Sequence, residues 1–280
     1  MDKVRRIKVG PKKKSGDNPI TVAVAQRDAQ VLQMVTEALK HNEVLMAFQP
    51  VMQARAPHGT AFYEGFVRVL DGTGRVIPAR EFMPQIENGH LGREIDCKSL
   101  ALGLQALSEN PTVRLSVNMS ARSIKYDRWI DTLERALAQD PTLGERLMLE
   151  IEERSAMLDP AALTDFIDEF QMHGIAFALG DFGSASIPIA KFHDFFFDAV
   201  KLDGQLVRGA HEDSECQETL HTLIHLAKKF DMLVIADKVE TATEAEFLVK
   251  AGVDCLQGYL FGAPTIRPPW VSAPVAPKRA

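Results

Sequence analysis

Polar side chains recur in this sequence at points where an apolar, strand-like run comes to its end. They are Glu64 in FYEGF, Asn118 in SVNMS, Glu150 in LMLEIEE, Asp181 in GDFG, Lys201 in VKLD, Asp237 in VIADK and Gln257 in LQGY. A carboxylate in an apolar strand is costly to bury unless it is paired or bound to a metal. The series therefore indicates one shared site, and oxygen-rich ligands favour Mg²⁺ or Mn²⁺ over zinc. The alternative is that backbone amides or water satisfy each side chain separately.

The elements that must position these residues alternate between strand-like and helical patterns along the chain. The strand-like runs are continuously apolar, which is typical of a parallel sheet covered on both faces. About 250 residues of such alternation favour one closed β/α barrel over two domains. An open doubly wound sheet is the competing fold, but no Gly-rich phosphate loop follows an early strand. In a barrel the carboxyl ends of the strands share one rim, which would bring the polar residues together.

Several local patterns give predictions that the structure can test. A helix is predicted in AQRDAQVLQMVTEALKHN, another in EFMPQIEN, and a short helix or turn in IPIAKFHD. Strands are predicted in MLVIADKV and DCLQGYLF. The segment HTLIH places His221 and His225 one helical turn apart, as paired zinc ligands would be. It lacks the glutamate of an HExxH motif and a nearby third ligand, so we predict an ordinary outer helix there.

Composition excludes several classes of protein. The 280 residues are 46% hydrophobic and carry a formal net charge of -6. No apolar run approaches the roughly 18 residues of a membrane helix, and the N-terminus lacks the apolar region of a secretory signal. Three scattered cysteines predict neither disulfides nor a zinc site. We therefore expect a cytoplasmic protein with no membrane partner.

The positive charge is concentrated at the N-terminus. Lysines and arginines crowd the first fourteen residues, and we predict a solvated, disordered tail there rather than a nucleic-acid or lipid-binding arm. The remainder of the chain is acidic, which argues against a DNA or RNA polymer as ligand.

The order of short motifs resembles the EAL family of cyclic di-GMP phosphodiesterases. The motifs are FQP, E-x-x-x-R, SVNxS, LEI-x-E, DFG, VKLD, VET and QGY, and they extend over roughly residues 44–265. The resemblance implies an α/β fold, namely a modified TIM-type (β/α)8 barrel of the EAL type, here with an extra N-terminal helix. It also implies hydrolysis of cyclic di-GMP to pGpG with two divalent metals. The implied organisation is a basic tail (1–20), an N-terminal helix (21–43), the EAL barrel domain (44–267) and a Pro-rich tail (268–280).

The resemblance assigns roles to individual residues. Glu64, Asn118 and Glu150 correspond to ligands of the first metal, and Asp181 corresponds to a ligand of the second. The remaining catalytic correspondences are Lys201 for the lysine that orients the attacking water, Gln257 for a glutamine near the second metal, Asp237 for a further carboxylate, and Glu153 for the acid that steadies the loop after the fifth strand.

Three further residues correspond to contacts with the dinucleotide. Gln49 and Arg68 match positions on its phosphate or ribose side, and Asp96 resembles the acid that accepts from a guanine edge. The alternatives are that Arg68 points outward at a strand end and that Asp96 is an acid on a helix surface. Capture of a phosphate by arginine requires no metal.

This chain departs from the family pattern in its second metal site. The aspartate that bridges both metals in the family is Gly180 here, and the family's Ala-Glu-Gly is Ala236-Asp237-Lys238. Lys238, if it points inward, would place a fixed positive charge near the second metal. The loop Gly183–Pro188 also differs from the family's Gly-Thr-Gly-Tyr-Ser-Ser. One Mg²⁺ or Mn²⁺ ion is therefore expected rather than two.

Three functions remain open. The first is a protein of cyclic di-GMP signalling that binds the nucleotide with impaired or absent hydrolysis. The second is an active metal-dependent phosphodiesterase, working at a full or a reduced rate, and the third is a protein-interaction scaffold without nucleotide. We also expect a homodimer by family analogy, and an unknown protein partner or the N-terminal helix as the source of regulation.

Overall fold

The computed structural model describes residues 19–55, 59–184 and 195–270. Strands β1 to β9 are Val44–Gln53, Thr60–Leu70, Val76–Pro78, Leu115–Asn118, Leu147–Glu152, Ala176–Phe182, Ala199–Leu202, Leu233–Ala236 and Cys255–Gln257. Helices α1 to α9 are Pro19–Lys40, Met83–Ile86, His90–Glu109, Asp127–Gln139, Glu153–Ala156, Pro160–Gln171, Gly204–Val207, Ser214–Lys229 and Ala242–Ala251. Short 3₁₀ turns lie at Ala79–Glu81, Ala121–Ser123, Pro141–Arg146 and Ala210–Glu212.

The strands close into a barrel. Their order is β1-β9-β8-β7-β6-β5-β4-β2, and β2 pairs again with β1 to complete the ring. The short β3 lies outside the ring and pairs with β2. The predicted barrel is therefore confirmed.

One strand of the barrel runs in the opposite direction. β1 is antiparallel to both β2 and β9, whereas the other pairs around the ring are parallel. Only the short segment 54–59 joins β1 to β2, and a parallel connection needs a crossover of about a dozen residues. The reversal thus follows from the length of that connection, a feature that the apolar strand pattern did not reveal.

The barrel interior consists of an apolar layer below a polar one. The apolar layer includes Val51, Phe62, Met148, Ala178, Ala199, Ile235 and Cys255. Inward positions along a strand recur every second residue, so the next inward position of each parallel strand lies one layer higher. Those positions are Glu64, Glu150, Gly180, Lys201, Asp237 and Gln257. In the reversed β1 the matching residue, Gln49, comes two residues before Val51 rather than after it.

Helix α1 packs on one side of the barrel through its second half. Val35 and Ala38 are buried there with Val69 of β2 and Ile86 of α2. Most side chains described in its first half are exposed. None of the helices in the described ranges combines the length and apolar character needed to cross a bilayer.

Some sequence predictions of element limits are wrong. The predicted strand DCLQGYLF ends at Gln257, because Gly258 has φ 154° and a Cβ there would lie 2.0 Å from the carbonyl oxygen of Val239. The strand predicted through Val239 ends at Ala236, before Lys238 with its positive φ.

EFMPQIEN forms a 3₁₀ turn and a single helical turn instead of one helix. The segment IPIAKFHD, most of the predicted tails and residues 185–188 of the divergent loop lie outside the described residues.

Candidate active site

Four buried polar side chains meet inside the barrel, each from a different strand. Glu64 comes from β2, Glu150 from β5, Lys201 from β7 and Gln257 from β9, and each of these residues, backbone included, is no more than 6% exposed. Each lies one inward step above the apolar layer. The sequence prediction that Glu64, Glu150, Lys201 and Gln257 converge agrees with this geometry.

Lys201 joins the two carboxylates. Its Nζ donates to Glu64 Oε2 at 2.6 Å and to Glu150 Oε1 and Oε2 at 2.8 and 2.7 Å. Burial alone would lower the pKa of Lys201, but the surrounding charges of Glu150, Glu64 and Asp237 raise it instead, so the ammonium stays charged. Burial and the charge of Glu64 raise the pKa of Glu150, while Lys201 opposes that rise.

Both oxygens of Glu64 accept further hydrogen bonds from amide side chains. Asn118 Nδ2 donates to Oε1 at 2.7 Å, and Gln257 Nε2 donates to Oε2 at 2.6 Å. Gln257 Nε2 also donates to Gln49 Oε1 at 3.2 Å, and Gln49 Nε2 donates to the carbonyl of Gly262 at 2.8 Å. Gln49 is therefore a buried link between β1, β9 and the segment after β9. It does not present a free amide to the barrel mouth.

Gly180 lies beside Glu150 on the neighbouring strand β6. A Cβ at position 180 would be 2.9 Å from Glu150 Oε1 and 3.3 Å from its Cγ. Asp181, the next residue, has φ 50° and is partly exposed. Among the described residues, its electrostatic effect falls on Glu152, whose pKa is raised first by burial and then by Asp181. The hydrogen bonds of the buried cluster do not extend to Asp181 in the described parts of the chain.

Glu153 contacts the loop that follows β6. Because β3 lies outside the ring, β6 is the fifth strand of the barrel in chain order. Glu153 is buried, and its Oε2 accepts a hydrogen bond from the backbone N–H of Gly183 at 3.0 Å. This contact is of the kind that the family resemblance implies for Glu153.

Asp237 and Lys238 lie at the carboxyl end of β8. Asp237 Oδ1 accepts a hydrogen bond from the Lys238 backbone N–H at 2.6 Å, and burial raises the pKa of its carboxyl. Lys238 is exposed, and its stem lies over Gly204, where a Cβ would be 2.2 Å from Lys238 Cδ. Lys238 therefore does not meet the condition of pointing inward; Lys201 is the lysine that reaches the carboxylates.

A cavity of about 350 Å³ opens next to Glu150 and Asn118. Asp96 lines it but is 5% exposed, so it is not an acid on a helix surface. Its Oδ2 accepts from Ser120 N at 3.0 Å and from Ser123 Oγ at 2.6 Å. Burial raises its pKa to about 6, although both serine contacts oppose the rise. Neither serine is predicted from the sequence; the signal for them is a pair of serines three residues apart directly after β4.

Arg68 lies on β2, four residues beyond Glu64, at the mouth of the barrel. Its Nη1 donates to the carbonyl of Val67 at 2.9 Å, and its guanidinium lies 5.6 Å from the centre of the Phe66 ring. The residue is half-buried and not fully outward. These contacts leave most of its five N–H donors for a ligand.

The histidines of HTLIH lie on α8. Both are exposed, whereas Leu220 and Ile224 of the same helix are buried. No group of three or more His, Cys, Asp or Glu side chains suited to a metal was found within the described residues.

The buried cluster does not fit the two-metal site that the family resemblance implies. Glu64, Asn118 and Glu150 do converge, but the carboxylate oxygens already accept from Lys201, Asn118 and Gln257. A dication at these oxygens would have to displace the Lys201 ammonium. Two dications about 3.5–4 Å apart would also need a shared anionic ligand, which Gly180 cannot supply.

Comparison with known proteins gives consistent matches. The family model of the EAL domain matches residues 32–264. Cyclic di-GMP phosphodiesterase PdeF of Escherichia coli K12 is 26% identical over 238 residues, which cover 84% of this chain and 32% of that protein. The bifunctional diguanylate cyclase/cyclic di-GMP phosphodiesterase MucR of Pseudomonas aeruginosa is 24% identical over 250 residues, covering 86% of this chain and 36% of MucR. The chain thus spans about a third of the length of these two relatives.

Solved structures agree with the fold. The FimX EAL domain of Pseudomonas aeruginosa bound to c-di-GMP superposes with a TM-score of 0.76 at 26% identity. That match covers 85% of this chain and 96% of the FimX chain. Since the family match also includes most of the sequence, this chain belongs to the EAL domain family.

Proposed function

We propose that this chain binds cyclic di-GMP at the mouth of its barrel and hydrolyses it slowly or not at all. The single observation that carries this proposal is at Gly180: the position has no side chain, and the nearest atom to a Cβ there would be a Glu150 oxygen already bonded to Lys201. The ligand is supported by family membership and by the FimX EAL domain, a relative whose structure contains c-di-GMP.

Binding depends on residues outside the buried cluster. Arg68 offers a planar set of N–H donors that can hold a phosphodiester in bidentate fashion, a contact that needs no metal. The cavity beside Asp96 is of the size that encloses a small ligand. The described fold supports a ligand that enters from the carboxyl ends of the strands, as in other barrels of this type.

An active metal-dependent cyclic di-GMP phosphodiesterase that yields pGpG is the second candidate. The convergence of Glu64, Asn118 and Glu150 favours it, because these are the oxygen-bearing side chains that the resemblance assigns to one metal. EAL phosphodiesterases in general depend on divalent metals, so this candidate requires Mg²⁺ or Mn²⁺. A homodimer, a protein partner and a cytoplasmic location remain proposals that rest on the family resemblance and the composition.

Calorimetry and chromatography separate these candidates. We expect the full chain to bind cyclic di-GMP equally in EDTA and in Mg²⁺, and to form little or no pGpG during a long incubation. Accumulation of pGpG in proportion to protein would support the phosphodiesterase instead. An absence of binding heat in both buffers would support a scaffold without nucleotide.

A further inference from the structure

Glu150 and Gly180 share a small space on the inner surface of the barrel. Both occupy inward positions of the neighbouring strands β5 and β6. A Cβ at position 180 would lie 2.9 Å from Glu150 Oε1, 3.3 Å from Cγ and 3.5 Å from Cδ. These are the three nearest atoms, and all belong to the one side chain. Any residue other than glycine would therefore press against the Glu150 carboxylate.

The backbone at Gly180 does not itself require glycine. Its φ lies outside the left-handed range, in contrast to Gly183, which has φ 94°. A larger residue could adopt the same backbone, since strand geometry is open to every residue type. Because Gly180 has no side chain, it leaves room for the side chain of Glu150.

Glu150 uses this room to reach Lys201. The ammonium contacts both Glu150 oxygens and one Glu64 oxygen, and the three side chains are 5%, 7% and 2% exposed for Lys201, Glu150 and Glu64. Like charges buried this closely repel strongly unless a cation lies between them. Lys201 supplies that cation from within the chain.

We propose that Lys201 is the resident cation of this site, held between Glu64 and Glu150 and accommodated by Gly180, in place of a divalent metal. The repulsion between the two carboxylates is then offset by a covalently attached positive charge that cannot dissociate. The folded chain should consequently be indifferent to divalent cations. The protein without nucleotide should already behave in this way, so the test does not depend on cyclic di-GMP binding.

Manganese alone is the appropriate probe. The full wild-type chain is titrated with Mn²⁺ while the signal of the free ion is followed by electron paramagnetic resonance, and its thermal midpoint is compared in Mn²⁺ and in EDTA. We expect no loss of free-ion signal up to millimolar Mn²⁺ and no change in Tm. A site filled at a hundredfold excess over its Kd would raise Tm by about 5 °C. Submillimolar binding with such a rise would overturn the proposal.

Lys201→Met tests whether the lysine takes the place of a divalent metal, because it removes the ammonium. Removing the ammonium leaves two buried carboxylates unpaired, so Tm in EDTA should fall by several degrees, and Mn²⁺ should now bind and restore part of the loss. The matched control is Lys125→Met, an exposed lysine paired with Asp159, which should change neither quantity. A folded Lys201→Met protein that gains no Mn²⁺ binding would contradict the proposal.

Gly180→Ala provides a test that does not depend on the folding of the lysine variant. The added methyl group should push the Glu150 side chain aside, weaken its contact with Lys201 and lower Tm. The control is Gly72→Ala, at a position where nothing lies within 4 Å of the new Cβ. Equal stability of the Gly180→Ala and wild-type proteins would show that the glycine does not make room for the ion pair.

Discussion

Lys201 and Glu64 meet across the barrel, with Nζ 2.6 Å from Oε2, although 137 residues separate them in the sequence. They extend from β7 and β2, which lie on opposite sides of the ring. The contact therefore ties the two halves of the barrel together through its interior. Because both groups are buried, the loss of either partner leaves a charge that water cannot solvate.

Glu64→Gln should destabilise the fold. The neutral amide cannot pair with Lys201, and its NH₂ would face the donors that now bond to Glu64. We expect a loss of about 3 kcal/mol in the free energy of unfolding, measured by urea denaturation. Asp131→Asn is the control, since Asp131 is exposed and pairs with Arg135 on a helix surface. It should change stability by less than about 0.5 kcal/mol.

Arg68→Ala should weaken binding of cyclic di-GMP at least about tenfold, because a charged hydrogen bond to phosphate would be lost. Arg75→Ala is a suitable control, as its side chain is 70% exposed and lies in the turn after β2. Calorimetry measures the affinity of both variants for cyclic di-GMP. Similar affinity in the two variants would remove Arg68 from the ligand site.

The stability of the protein should contain a pH-dependent contribution from Asp96. Its pKa in the folded protein is about 6, above the unfolded value of 3.8, so the folded state binds the proton more tightly. The resulting stabilisation is present below about pH 4 and is lost as the pH rises through about 6.

Asp96→Asn should remove this contribution. Between pH 4 and pH 7 the wild type should lose on the order of 2 kcal/mol relative to the variant, as measured by urea denaturation across the range. Asp71→Asn is an informative comparison, because contacts with Thr73 and Arg75 lower the pKa of Asp71. The contribution of Asp71 to the pH dependence of stability therefore has the opposite sign to that of Asp96. If the free energy of unfolding changed with pH in the same way in the wild type and in Asp96→Asn, the prediction would be contradicted.

Glu153→Gln should loosen the loop after β6. The carboxylate accepts from the Gly183 N–H, and an amide oxygen accepts more weakly. We expect exchange of the Gly183 amide hydrogen to accelerate about tenfold. Glu134→Gln, at an exposed position of α4, should leave that rate unchanged. Unaltered exchange in Glu153→Gln would mean that other contacts hold the loop.

Gly180→Asp combined with Asp237→Glu should increase pGpG formation in Mg²⁺ if missing ligands limit hydrolysis. The pair supplies the carboxylates that the family pattern has at both positions. Chromatography of the nucleotide products measures the effect against the wild type. Turnover no greater than that of the parent would mean that the ligand losses are not the main defect. Adding Lys201→Met and measuring Mn²⁺ binding by electron paramagnetic resonance, rather than turnover, then tests whether the ammonium keeps the metal out.

Much of this architecture can be predicted from local sequence patterns. Continuous apolar runs followed by helices imply a covered parallel sheet, and Glu64, Glu150, Lys201 and Gln257 stand out because each follows an inward apolar residue by two positions. The lack of a metal-binding side chain at position 180, which is glycine, is equally visible in the sequence. These features depend on residue type and on the two-residue period of a strand, which are local properties.

Only the tertiary structure decided how these residues are paired. Four features depend on which elements face each other after the ring closes. They are the reversal of β1, the outward direction of Lys238, the hydrogen bonds of Asp96 with Ser120 and Ser123, and the insertion of Lys201 between two glutamates. Side chains from opposite strands meet only when the diameter of the barrel matches their reach. That distance is set by the closed sheet as a whole, and no segment of the sequence contains it.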